Sequence, residues 1–217
     1  MKILALELSS ARGSVALLNG DNLEFFNEWP NDRKNSGPFF ECLGEVQQQF
    51  GQPDTIVVGL GPGSYAGTRI AISAAIGLSF GGTGSVPSDG KGRHGGRPSI
   101  RLIGYASICA IECDAPEYCV IGDARRNSFF FARVVDNDLV EGPTLMTEAE
   151  LRAKLDKLDK TMSIFAIEKL LQFERAQIRY PSAKLLAQLA GDPNREFTRP
   201  PLEPIYLREP HITIPKK

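Results

Sequence analysis

The stretch that decides the fold runs from Thr55 to Phe80, T-I-V-V-G-L-G-P-G-S-Y-A-G-T-R-I-A-I-S-A-A-I-G-L-S-F. Ile56, Val57 and Val58 form a short β-branched run of the kind that makes a buried strand. Gly59, Gly61, Gly63, Gly67 and Pro62 then turn the chain. The segment from Ile70 to Phe80 is rich in alanine and free of proline, so it reads as a helix. Ile70, Ile72, Ala74, Ala75, Ile76 and Leu78 are apolar on nearly every side, which predicts a helix buried between layers. Ser64 or Thr68 can cap its first turn. The unit is strand, glycine turn, helix. Three readings of the turn stay open: a nucleotide cradle, a purely structural tight turn, and a partner-binding loop. Gly61-x-Gly63-x-x-Ala66 fits a relaxed dinucleotide fingerprint, but no acidic strand end follows at the usual distance. No Gly-Lys-Ser/Thr closes the loop, so it is not a P-loop.

Bulk properties narrow the classes. The 217 residues suit one large domain or two small lobes, and 25 basic residues against 26 acidic ones advertise no basic face for nucleic acid. The opening M-K-I-L-A-L-E-L-S-S reads as a first strand rather than a secretory signal, because Glu7 breaks its short apolar run. No run approaches the ~18 apolar residues of a membrane span, so a soluble cytoplasmic protein without a membrane partner is expected. Cys42, Cys109, Cys113 and Cys119 lack the paired short spacing of a zinc site and read as reduced thiols. His94 and His211 are the only histidines, too little material for a histidine triad or a metal site. No metal and no cofactor are expected.

In chain order, Lys2–Leu8, Ser14–Leu18 and Leu23–Trp29 read as strands, the last two joined by an Asn19-Gly20 turn. A helix follows from Ser36, carrying Phe39, Phe40, Leu43, Val46 and Phe50 at helical spacing. Its heavy apolar end is either a face packed on the sheet or one shared with a partner. Residues 81–99 hold seven glycines and one aliphatic residue, Val86, and read as a flexible loop, with Lys91, Arg93 and Arg97 as its basic residues. Arg101–Tyr105 resumes as a strand and Ser107–Glu112 as a short helix. Tyr118–Asp123, Phe129–Val135 and Ser163–Ile167 are strands. Thr147-x-x-Glu150 is a capping box opening a helix to about Leu158, and Ser182–Ala190 is a helix closed by Gly191. The proline-rich end from Arg199 is an extended surface tail.

Strands, helix, strand and helix, repeated in shorter form after residue 106, give a two-lobed α/β architecture of ribonuclease-H-like order. The first lobe spans 1–105 and the smaller second lobe 106–217. Glu7 and Asp123 stand where two-lobed kinases hold Mg²⁺. The loop after Glu7 has only Gly13, however, and the loop after Asp123 (Ala124-Arg125-Arg126) has no glycine to let backbone approach phosphate.

Four segments carry a family likeness: Ile3–Ser10 with Ser14–Leu17; the turn Gly61-Pro62-Gly63-Ser64-Tyr65-Ala66-Gly67-Thr68-Arg69; the strand end Asp123–Arg126; and the tail Pro204-Ile205-Tyr206-Leu207-Arg208. In these the chain resembles the TsaB family, which takes part in making threonylcarbamoyladenosine in tRNA. The resemblance implies an ASKHA-type (actin-like) fold with a degenerate nucleotide site at Glu7, Ser9 and Asp123, and no intrinsic catalysis. It implies a scaffold for the TsaD paralogue, joined by the TsaE ATPase, with tRNA met only through the complex, and self-association through first-lobe helices. The implied partner-binding residues are Phe39, Phe40, Leu43, Gly61, Pro62, Gly63, Ser64, Tyr65, Gly67, Arg69, Ile72 and Ile76. The chain departs from the family pattern with Glu7-Leu8-Ser9 in place of Asp-Thr-Ser, with Ala66 and Thr68 in the turn, and with the glycine-rich 81–99. The rival reading is an active small-molecule kinase or ATPase using Glu7 and Asp123. A peptidase fails on histidine content.

Overall fold

The structure is a computed structural model that describes residues 1–31, 36–81 and 100–208. The glycine-rich loop, both histidines and the last nine residues lie outside the described residues.

Two five-stranded sheets organise the chain. The first is built from β1 (Lys2–Glu7), β2 (Arg12–Asn19), β3 (Asn22–Pro30), β4 (Thr55–Gly59) and β5 (Arg101–Tyr105), in the order β3-β2-β1-β4-β5. β1 runs antiparallel to β2, with Glu7 opposite Ser14, and parallel to β4, with Leu6 beside Val58. The second sheet uses β6 (Glu117–Asp123), β7 (Ser128–Val135), β8 (Asp138–Thr147), β9 (Ser163–Ala166) and β10 (Gln177–Ile178), in the order β10-β9-β6-β7-β8. Four helices complete it: α1 (Gly37–Phe50), α2 (Tyr65–Gly81), α3 (Glu148–Asp156) and α4 (Ala183–Ala190).

Alternation along the strands sets the layers. Leu4, Leu6, Ile56 and Val58 face α1 and α2, meeting Phe39, Val46, Ala71 and Ala75. Ile3, Ala5 and Val57 point the other way, into a core that holds Leu186 and Ala187 of α4 and also Val120 and Phe130 of the second sheet. On that sheet's far face Cys119, Ile121 and Phe131 pack on Leu151 and Leu155 of α3. α4 therefore lies between the sheets, and a helix from the second half of the chain caps the first sheet. Its first amide, Ala183 N–H, donates to Ser14 Oγ at 2.9 Å.

Most elements fall where the sequence puts them, and the Thr147–Glu150 capping box forms in both directions. Several local expectations change. α2 is not buried between layers: Ala71, Ile72 and Ala75 pack inward, whereas Ile76 is 38% and Phe80 70% exposed. Among the described residues a single sheet face packs on it. Ser36 precedes α1 without a side-chain capping bond. Ser107–Ala110 is one 3₁₀ turn, and Gly191 ends α4 in right-handed geometry. β8 and β10 were not anticipated. The tail is only partly superficial, because Leu202 is buried and Ile205 N–H donates to Leu60 O at 2.8 Å.

Candidate functional site: the cleft between the lobes

The ends of β1, β4 and β6 open on one cleft of about 540 Å³. Its floor carries Ser9, Ser10, Ser64 and Thr68; its far wall carries Ala124, Phe130 and Ile167; Tyr206 and Arg208 of the tail close one side.

The glycine turn that opens onto this cleft is explained by backbone crowding. A Cβ on Gly63 would run into the Ser9 carbonyl, one on Gly67 into the Leu8 carbonyl, and one on Gly59 into the Glu7 carboxyl. Gly61 adopts φ +90°, which favours glycine. The glycines thus let α2 and β4 seat directly on the end of β1. Ser64 caps α2, its Oγ accepting from Gly67 N–H at 3.2 Å, while Ser64 N–H donates to Ser9 O at 2.5 Å. Of the three readings of this turn, these contacts support the tight turn.

Glu7, expected beside a metal, is fully buried and does not line the cleft. Its Oε1 accepts from Ser9 N–H at 2.6 Å, and its Oε2 has no hydrogen-bond partner. Burial pushes its carboxyl above the ordinary range, only partly countered by Ser9 and Ser107. A carboxyl so placed is out of reach of a Mg²⁺ ion in the cleft. Ser9 is also buried, and its Oγ has no partner.

Asp123 does face the cleft, but its own turn occupies it. Its Oδ1 accepts from Arg125 N–H at 2.6 Å and its Oδ2 pairs with the Arg125 guanidinium at 3.1 Å. Arg125, Arg126 and Asn127 all sit at φ between 54° and 66°, a left-handed run without glycine. Glu168 joins this wall, its Oε1 accepting from Asp123 N–H at 3.1 Å. Among the described residues no group of three or more acidic, histidine or cysteine side chains could hold a metal ion.

The expected partner-binding residues divide by burial. Phe39, Leu43 and Ile72 belong to the chain's own core, and Gly61, Pro62, Ser64 and Gly67 are buried in the turn. These residues pack within the chain itself, whereas Gly63 of the same turn is exposed. Phe40 (52% exposed), Tyr65, Arg69 and Ile76 reach the surface, and Phe40, Arg69, Ile70, Ser73 and Ala74 line a shallow groove between α1 and α2. Arg69 donates to Tyr65 Oη at 2.7 Å, and Tyr65 packs on Tyr206 with ring centroids 5.4 Å apart. The turn motif and the tail motif, far apart in sequence, meet here. Asn31, Ile167 and Glu168 had no sequence signal as site residues; Tyr206 and Arg208 stood in the tail motif, unassigned to the cleft.

Two five-stranded sheets of ribonuclease-H-like order, with Asp123 at the cleft and Glu7 buried at the end of the first strand, give an ASKHA-type fold. No family model matches the sequence. Over 140 residues, 62% of this chain, it is 31% identical to the tRNA threonylcarbamoyladenosine biosynthesis protein TsaB of Haemophilus influenzae. The match takes in 54% of that protein, so the chain spans about half the length of the curated relative it matches. In fold it is similar to a Pseudomonas aeruginosa protein described as similar to peptidase YeaZ, with a TM-score of 0.68, 19% identity and coverage of 95% of this chain and 99% of that one. YeaZ from Pseudomonas aeruginosa follows at a TM-score of 0.62 and 19% identity, over 88% of this chain and 90% of that one. The chain is thus similar to TsaB in sequence over part of its length and to the YeaZ structures in fold.

Proposed function

We propose that this chain is a non-catalytic subunit supporting formation of the threonylcarbamoyl group on adenosine 37 of tRNA, by docking to the TsaD paralogue with the TsaE ATPase joining them. The observation that carries this reading is the uncovered apolar face of α1 and α2. Phe40 and Ile76 are 52% and 38% exposed, and Phe40 lines a groove with Arg69 and Ala74. Apolar residues clustered like this on one face suit a protein partner. The same face offers a route to a homodimer. A net charge of −1 fits a chain that meets tRNA only through its complex. Among the described residues no helix is long and apolar enough to cross a membrane, and the reading places the protein in the cytoplasm. The kinase reading needs Glu7 at the cleft surface, where it does not lie.

The test is light scattering after size exclusion, with TsaD from the same source. The wild-type chain is expected to form a stoichiometric complex, and Phe40→Glu with Ile76→Glu to lose it while keeping the parent melting temperature. Undiminished association of that double variant would remove the assigned face. Phe39→Ala is the control for packing, since it empties a core site and should cost roughly 3–5 kcal/mol of stability.

A further inference from the structure

We infer that the segment after α4, residues 192–198, is a brace that holds the two sheets at one angle, with Arg195 as its positioning residue. Two packed units move relative to one another by default unless a large apolar interface prevents it. An apolar core does run between these sheets, joining Ala5 and Val57 of the first to Val120 and Phe130 of the second. Apolar contacts have no direction, however, and packed elements can slide by small steps. Hydrogen bonds to a charged group do have direction, and the brace supplies them.

Arg195 reaches both sheets. Its Nη1 donates to Tyr105 Oη, at the end of β5 in the first sheet, at 2.9 Å. The same nitrogen donates to Asp138 Oδ1, at the start of β8 in the second sheet, at 2.6 Å. Tyr105 closes the triangle, its hydroxyl donating to Asp138 Oδ1 at 2.5 Å. Arg195 Nη2 also donates to Asp136 O at 3.0 Å. Asp136 and Asn137 sit at φ 49° and 63° in the β7–β8 turn. Asn137 Nδ2 anchors that turn a second time, donating to Cys109 O at 2.8 Å. The segment is fastened to β5 as well. Phe197 packs on the Tyr105 ring with centroids 5.0 Å apart, and Thr198 and Gly104 exchange two backbone hydrogen bonds. The Arg195 side chain is only 12% exposed, so its guanidinium has little water to turn to if these partners are lost. Any change in the angle between the sheets would have to break this triangle. Tyr105, Asp138 and Arg195 line neither the cleft nor the α1–α2 groove, so the brace stands apart from the docking reading.

The test is the distance between spin labels on the outer helices of the two sheets, measured by double electron–electron resonance on the full chain. Labels go on Gln48→Cys in α1 and Lys157→Cys at the end of α3, both exposed positions, with Cys113→Ser in the background. Cys42, Cys109 and Cys119 are buried and stay unlabelled. The parent is expected to give one narrow distance distribution. Tyr105→Phe keeps the ring on Phe197 and removes only the hydroxyl; Arg195→Met keeps the stem and removes the charge. Each should at least about double the width of the distribution while helix and strand content stays that of the parent. Tyr105→Phe covers the case in which Arg195→Met does not fold. A broad or two-peaked parent distribution overturns the inference. So does a folded variant that keeps the parent width, even with a lower melting temperature, since the cluster would then only add stability.

Discussion

The ends of β1 and β6 are corresponding places in the two lobes, and the chain treats them in opposite ways. At the first, Glu7 turns inward, loses solvent entirely and packs over Gly59 with one oxygen unpartnered. At the second, Asp123 stays at the cleft and is neutralised by the arginine two residues on. One acid is silenced by burial and the other by pairing. Two different local arrangements thus reach the same outcome, an acid held by contacts within the protein.

The first tip depends on glycine and should break hardest. Gly63→Ala places a Cβ against the Ser9 carbonyl, which is backbone and cannot swing aside. A loss of about 3 kcal/mol or more is expected in chemical denaturation, at the upper end of overpacking costs. A change under about 1 kcal/mol would mean that the turn is not seated on β1 as described.

The buried acid gives the next effect, and it grows with pH. Glu7 has a raised carboxyl in the folded chain, so folding favours its protonated form. Its contribution is fully present below the unfolded value near 4.5 and is lost as pH rises through the folded value. Glu7→Gln, which mimics the protonated carboxyl, should therefore gain melting temperature relative to the parent between pH 5 and 8. A difference that stays flat with pH would place Glu7 in water.

The smallest effect belongs to the second tip. Arg125→Gly removes one left-handed non-glycine residue, worth about 1–2 kcal/mol, and gives up an exposed ion pair worth at most about 1 kcal/mol. The variant should be more stable by a few tenths to about 1 kcal/mol. A clear loss would show that the Asp123–Arg125 pair matters more than the strain.

What was legible in the sequence follows the range of the interactions. The Thr147–Glu150 box acts over three residues and forms as read. β4 announces itself by its β-branched run, and β2 and β3 by the Asn19-Gly20 turn between them. β8 hides because Gly142 and Pro143 interrupt it, which an edge strand tolerates. The exposure of Ile76 and Phe80 could not be read from α2 alone, since an all-round apolar composition does not say how many layers cover a helix. The burial of Glu7 depends on Gly59 and Ser107, distant in sequence and close only in the folded chain. The purpose of Gly63 and Gly67 likewise lies in the carbonyls of Leu8 and Ser9. The motif was visible, and its use was not.

The central claim, that neither lobe offers a working phosphate and metal grip, is tested most directly by titrating ATP into the isolated chain with Mg²⁺ and with chelator. The account predicts no Mg²⁺-dependent component of binding, in the parent or in Glu7→Gln. Saturable, Mg²⁺-dependent binding that Glu7→Gln abolishes would contradict it and restore the kinase.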